Sequence, residues 1–184
     1  MSDFCNCNDG SNTASVKDGR TVRLKFVRKQ LLYDIENYAY VEADVLKDAG
    51  EQKRHARHVL AEVGEEGNVD RVSRILATVH ALVIDMLYPY TKVEPIEEEI
   101  DDVLFAPDAY VVELHVPLSM SRTTLHLLSR LIHEYMVYRV LADWLSITNP
   151  DAAANWLAKA EATEEEISKA KSQRGVFTRA THPW

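Results

Sequence analysis

The sequence predicts a mainly α-helical domain, a helical bundle of about five helices with a small antiparallel β-sheet of two or three strands. Residues 118–174 have the apolar pattern of two long helices broken once. Upstream segments also repeat apolar residues at helical spacing, while two short segments alternate apolar and polar residues as half-buried strands do. Together these observations favour one helical domain with a minor sheet.

The break between the two long helices lies at residues 147–151. Asn149 is a good N-cap, and Pro150 suits the first helical position. Asp151 places a negative charge at the positive end of the new helix. The sequence therefore predicts that one helix ends here and another begins.

The helix before the break, residues 121–147, is apolar on nearly every side. At about 100° per residue, eight large residues share one broad face: Leu127, Leu128, Leu131, Ile132, Tyr135, Tyr138, Leu141 and Leu145. The opposite sector is polar at first but later holds Val137, Val140 and Trp144. A helix whose polar stripe changes sides must be covered all round, by its own chain or by another copy. We expect it to form the core.

The remaining elements follow in chain order. Residues 1–20 are polar and predict a flexible N-terminal arm, and residues 21–27 alternate as a strand. Residues 28–47 and 51–63 have helical spacing, and Gly64 to Gly67 end the second of these helices. A further helix is expected from an Asn68 cap to Tyr88. The domain spans residues 21–175, and residues 176–184 form a C-terminal docking tail.

A second strand is predicted at residues 110–116, in a hairpin with residues 103–105. An acidic connector precedes it, with six carboxylates among the nine residues 94–102. We call these nine residues the acidic segment.

Bulk properties exclude several classes of protein. The chain has 184 residues, 46% of them apolar and 27% charged, as in an ordinary globular domain. A formal net charge of −8 argues against sequence-specific nucleic-acid binding. No window approaches the roughly 18 apolar residues of a membrane span, and the polar N-terminus is unlike a signal peptide. Cys5 and Cys7 are too close for an unstrained disulfide, so we expect synthesis in the cytoplasm.

Candidate catalytic groups are sparse. His133 and Glu134 begin like a zinc-protease helix motif, but Val137 stands where the second histidine is required. His126 shares a helix face with His133, so a metal-dependent hydrolase using these residues is the least favoured alternative. The pairs His55/His58 and Cys5/Cys7 do not make a stronger case for a metal site. We therefore predict no enzyme, with no catalytic, cofactor-binding or metal-binding residues.

Two charged segments suggest an interface. Residues 17–29 hold six basic residues and one acid, in contrast to the acidic segment. Either segment could be a solvated surface, or the two could meet within one subunit. Our sharper hypothesis is that the basic strand of one copy faces the acidic segment of the next copy in a ring. The candidate interface residues are Arg23, Lys25, Arg28, Glu97, Glu98, Glu99, Asp101 and Asp102.

The C-terminal tail carries aromatic and basic residues, with Phe177, Arg179 and Trp184 as candidate interface residues. Such a segment is typical of a docking anchor on a neighbouring protein. The alternative is that it folds back on its own domain.

The block from Leu128 to Ala153 and the run from Asp70 to Tyr90 resemble structural proteins of tailed phages and prophages, including phage-like elements of gut Bacteroidales. Within that class, the sequence resembles the head–tail connector (adaptor) group. These are small helical proteins with a strand pair that form rings under the portal. Residues 121–147 would be its long helix and residues 176–184 its docking tail. The helical portion 28–63 and the length of the acidic segment depart from that pattern.

The resemblance implies a non-enzymatic virion protein of the neck or tail-proximal region, made in the bacterial cytoplasm and free of cofactors. Its partners would be further copies of itself in a ring and the portal or other neck and tail proteins. The alternative from another class is a cytoplasmic helical regulator or interaction module that dimerises through apolar helix faces.

Overall fold

The computed structural model describes residues 19–45, 66–93, 103 and 106–172. Within these residues the chain forms, in order, strand β1 (Gly19–Val27), helix α1 (Arg28–Val45), helix α2 (Glu66–Met86), strand β2 (Ala109–Pro117), helix α3 (Arg122–Thr148) and helix α4 (Pro150–Ser172). The predicted mainly helical fold with a small antiparallel sheet is confirmed. The predicted helix at residues 51–63 lies outside the described residues.

The sheet consists of β1 and β2, which pair antiparallel without a bulge from Gly19 opposite Pro117 to Val27 opposite Ala109. Its inner face buries Leu24 and Phe26 of β1 with alternate residues of β2: Tyr110, Val112, Leu114 and Val116. The alternation of side chains between two faces is the feature that the sequence pattern predicted. The long-range partner of β2 was not expected. Of the predicted hairpin partner, Val103 lies outside any strand, and Leu104 and Phe105 lie outside the described residues.

Helices α3 and α4 are joined at the predicted break. The backbone N–H of Asn149 donates to the Leu145 carbonyl over 2.8 Å and so closes α3. The Asn149 side-chain oxygen then accepts from the backbone N–H of Ala152 over 3.3 Å, which caps the start of α4. Pro150 begins α4, and Asp151 lies in its first turn, as predicted.

Helix α3 is covered by its own chain. Leu128, Ile132 and Leu145 on one side are buried, and so are Val140 and Trp144 on another. Helices α1, α2 and α4 all pack against α3, and α4 makes the most extensive contact. No second copy is therefore needed to cover its apolar surface.

One residue of the predicted buried face is exposed. Leu127 is 45% exposed. It shares a sector of α3 with Arg130 and Glu134, which also face solvent, and this sector becomes buried only further along, at Leu141 and Leu145.

The start of α2 also differs from the sequence prediction. The helix begins at Glu66, so Asn68 lies inside its first turn rather than at the N-cap, and Gly67 is helical. The buried stripe of α2 is narrow, and Leu82 at its margin is 40% exposed. None of the helices in the described part of the chain has an apolar run long enough to cross a membrane.

We predict that Asn149→Ala lowers the free energy of unfolding by about 1 kcal/mol, because α4 loses its side-chain cap. Asn149→Asp is the matched control, since aspartate caps helices about as well as asparagine. Urea unfolding of both variants measures the difference. An equal loss in the two variants would contradict a capping role.

Candidate interaction surfaces

The outer face of the sheet carries the basic residues predicted from the strand pattern. Arg23 lies opposite Glu113 on β2, and its Nε is 3.4 Å from the Glu113 carboxylate. The Arg23 side chain is nevertheless 73% exposed, and Lys25 is also exposed. Part of the positive charge on β1 is therefore already paired within the subunit.

Arg28 is placed differently from Arg23 and Lys25. Its guanidinium Nη2 donates to the hydroxyl of Ser73 on α2 over 2.7 Å, and Ser73 is fully buried. Its Nε and the hydroxyl of Tyr110 are buried without a hydrogen-bond partner among the described residues. Burial raises the pKa of Tyr110, and the Arg28 charge lowers it in part. Arg28 therefore joins the sheet to α2 and is no part of the exposed basic face.

The outer edges of the two strands differ in their hydrogen bonding. On β2, the backbone N–H of His115 donates to the Tyr90 carbonyl over 2.7 Å, and the Val111 carbonyl lies 3.0 Å from Nε2 of His80. These bonds satisfy peptide groups that point away from β1. The outer edge of β2 is thus partly closed by α2 and by the turn that follows it.

Among the described residues, no strand pairs with the outer edge of β1, which we call the open edge. In an antiparallel pair, residues opposite each other direct their peptide groups the same way relative to the pair, either both inward or both outward. His115 and Val111 bond outward, so their partners Thr21 and Lys25 also point outward, as does Arg23 between them. Among the described residues, no other backbone group bonds to these three.

A groove runs between α1 and α3 on another side of the domain. Asp34 and His133 meet in it, with 2.7 Å between the carboxylate and Nε2. Its lining combines polar and aromatic residues of both helices: Gln30, Asp34, Asn37, Tyr38, Tyr40, Val41, Arg130, His133, Glu134, Val137 and Tyr138. Burial raises the pKa of Tyr138, and the charge of Glu134 adds to that rise.

The floor of this groove is fixed by aromatic packing. The ring centroids of Tyr38 and Trp156 are 5.1 Å apart, and those of Tyr138 and Trp156 are 5.5 Å apart. The indole N–H of Trp156 donates to Glu42 over 3.0 Å, and the Lys159 ammonium lies 3.8 Å from the centre of the Trp156 ring. α1, α3 and α4 are therefore held together beneath the groove.

Tyrosines project from α1 beside the groove. Tyr33 is 59% exposed, Tyr40 is 65% exposed and Val41 is 58% exposed. We call these three residues the tyrosine face. Large aromatic side chains exposed next to a polar groove are typical of protein-binding surfaces.

The residues proposed for a metal-dependent hydrolase are not brought together. His133 bonds Asp34, whereas His126 accepts from Nε of Arg122 over 3.3 Å, one turn before it on α3. Glu134 is exposed on the groove rim. Within the described ranges, no three side chains of the metal-ligating type cluster.

Several predicted residues lie outside the described residues. They are Cys5, Cys7, His55, His58, Glu97, Glu98, Glu99, Asp101, Asp102, Phe177, Arg179 and Trp184.

Sequence reasoning missed the Asp34–His133 pair and the tyrosine face. Asp34 and His133 are 99 residues apart, and no local pattern signals their contact. The seven-residue spacing of Tyr33 and Tyr40, which places both on one helix face, was the available signal.

We predict that Arg28→Met lowers the free energy of unfolding by about 1–3 kcal/mol, because buried Ser73 loses its partner. The matched change Arg23→Met removes only an exposed ion pair and should cost at most about 1 kcal/mol. Equal effects in denaturant unfolding would show that Arg28 has no special structural role.

The fold should also weaken through His80 as the solution becomes acidic. Burial lowers the pKa of His80 from its ordinary value of 6.5, and the hydrogen bond to Val111 raises it in part. The unfolded chain thus binds the proton first, so stability is full above pH 6.5 and falls as the pH drops through that value. His80→Gln keeps a donor for Val111 but cannot titrate. Between about pH 7 and 5, the free energy of unfolding should decrease more steeply with falling pH for the native chain than for this variant. Denaturant unfolding at each pH measures it.

Comparison with known proteins leaves these surfaces to be interpreted from their own chemistry. Neither models of protein families, nor curated proteins, nor solved structures gave a match to this chain.

Proposed function

We propose that this chain is a non-enzymatic structural protein of a tailed-phage or prophage virion, of the head–tail connector or neck adaptor type. Copies join in a ring, and their termini dock on the portal or on other neck and tail proteins. The sequence resemblance of the run from Asp70 to Tyr90 and the block from Leu128 to Ala153 supports the class of protein. The observation that carries a docking role is the tyrosine face, three large side chains each more than half exposed on one helix.

The anatomy of that surface fits contact with another protein. Tyrosine combines a large apolar area with a polar tip and loses little conformational entropy on binding, which explains its enrichment at interfaces. Around the tyrosine face lie Arg130, Glu134 and the Asp34–His133 pair, which supply a polar rim. We assign this surface to contact between neighbouring copies.

The burial of α3 favours the adaptor over the helical regulator. A dimer built on apolar helix faces needs such a face to be free. In this chain most apolar residues of α3 are covered by α1, α2 and α4 of the same subunit. The described residues instead present the tyrosine face and the exposed charges of β1, and such surfaces suit rings whose register is set by polar contacts.

The mass of the purified chain in solution tests this function. Light scattering after size exclusion should give a large closed oligomer at low salt that dissociates at high salt, because exposed charges are screened beyond about 8 Å at physiological ionic strength. A small dimer insensitive to salt would support the regulator instead. A monomer under all conditions would contradict ring formation by this protein alone.

The double change Tyr33→Ser/Tyr40→Ser should raise the concentration needed for assembly by about tenfold or more, since central tyrosines often dominate binding energy. Tyr88→Ser is the matched control, because Tyr88 is 55% exposed but lies in the turn after α2, away from the groove. If Tyr88→Ser weakens assembly as much as the double change, the tyrosine face is not the contact.

A further inference from the structure

We propose that the open edge of β1 is extended by the acidic segment of a neighbouring copy, which adds to the sheet as a third strand. This inference rests on the proposed function, because it adds a second contact between neighbouring copies beside that of the tyrosine face. The proposed contact is strand addition, in which main-chain hydrogen bonds fix how the two copies are oriented. Attraction between charges alone would not fix that orientation.

The backbone of β1 is suited to strand addition. Thr21, Arg23 and Lys25 direct their peptide N–H and C=O groups away from β2, and no backbone group of the described residues bonds them. Every second residue along a strand is about 6.6–6.8 Å from the last, so these groups form a regular ladder. The pairing of β1 with β2 has no bulge over nine residues, and β1 contains no proline. Natural edges usually carry a bulge, a proline or charges against unwanted pairing.

Within the part of the chain that the structure describes, charge is the one such feature at the edge of β1, and its effect is selective. Arg23 and Lys25 repel a basic strand but attract an acidic one. The acidic segment matches them, with six carboxylates in nine residues, and it is as long as the nine-residue β1. The exposed Arg23 side chain already lies near Glu113, and its remaining N–H groups can donate to a second carboxylate.

The alternation within the acidic segment has the required parity. In an extended conformation Glu97, Glu99 and Asp101 lie on one face, and Ile96 and Ile100 lie on the other together with Glu94, Glu98 and Asp102. Added to β1, the carboxylates can share the outer face with Arg23 and Lys25. The isoleucines then lie beside the inner face that buries Leu24 and Phe26, with Glu98 between them on the same side. Pro95 stands at the start of the segment, where a missing N–H interrupts no ladder.

Chain connections favour a neighbour as the donor. Tyr90, shortly before the acidic segment, bonds His115 on the outer edge of β2, and the chain re-enters the sheet at Ala109 of β2. Both flanks are thus anchored beside β2. The open edge belongs to β1, on the far side of the pair, about 10 Å away for strands spaced about 4.8 Å apart. A segment from the same subunit must pass around the sheet to reach it, whereas a neighbour approaches directly.

Charge exchange in the full-length chain tests the proposal. Arg23→Glu/Lys25→Glu should raise the concentration needed for assembly about tenfold, since two attractive pairs become repulsive. Glu97→Lys/Glu99→Lys/Asp101→Lys should have a similar effect. A mixture of the two variants should regain assembly, because each supplies the surface that the other needs.

The control is Lys29→Glu, an exposed basic residue of the same segment that lies on α1. It should leave assembly unchanged, and circular dichroism should confirm that all variants remain helical.

A proline pair separates strand addition from simple charge attraction. Only alternate residues of an added strand donate their N–H to β1. Proline at position 98 or at position 99 should therefore block assembly while the other position tolerates it, whatever the register. If both positions tolerate proline, or if the charge variants behave like Lys29→Glu, the proposal is overturned, although a ring could still form through the tyrosine face.

A labelled peptide of residues 92–103 keeps the test independent of ring formation. It should bind the full chain, measured by fluorescence anisotropy, and bind about tenfold more weakly to the Arg23→Glu/Lys25→Glu variant. Binding by a chain that stays monomeric would support the strand site and contradict the ring. Binding only after deletion of residues 1–18 would assign the edge to the N-terminal arm and overturn the proposal. The proposal would also be overturned if the peptide bound neither the full chain nor the chain without residues 1–18, and if the charge variants assembled like the native chain.

Discussion

The burial of α3 is the constraint on which the rest of the structure depends. Its 27 residues are apolar on one side along the first half and on nearly all sides along the second. Exposing such a surface costs roughly 25 cal/mol for each Å² of apolar area, so the other helices must surround it. The short break at Asn149 allows α4 to return along α3, and α1 and α2 cover the remaining sides. A single subunit thereby completes its own core.

The parts of the fold that depend on local patterns were predictable. Alternation in β1 and β2 indicated which side chains face the core, and Asn149, Pro150 and Asp151 indicated the helix break because each acts within one turn of its own backbone. The pairing of β1 with β2 was beyond local reasoning, since it joins residues about 90 positions apart. A nearby partner has the lower loop-closure cost, so reasoning from local patterns does not indicate a strand so far away in the sequence.

The candidate surfaces were predictable only in part, for a related reason. Charge runs are visible in a sequence, but the direction of a side chain is set by its tertiary neighbours. Arg23 and Arg28 belong to one basic run, yet one faces solvent and the other bonds Ser73 inside the domain. Asp34 and His133 meet because α1 packs along α3, and neither residue signals the other along the chain. Which sheet edge stays open likewise depends on the placement of His80 and Tyr90.

The direct passage from β1 into α1 has a mechanical consequence. Val27 ends the strand and Arg28 begins the helix, with no intervening loop. At this junction the Arg28 N–H is bonded to the Asp108 carbonyl over 3.0 Å, and its side chain is bonded to Ser73 of α2. A pull along β1 meets the hydrogen bonds of the β1–β2 ladder in shear, so that they share the force instead of opening one at a time. The same pull reaches α1 and α2 without a flexible hinge. Tension applied along β1 therefore reaches α1 through the Val27–Arg28 peptide bond and α2 through the Arg28–Ser73 hydrogen bond.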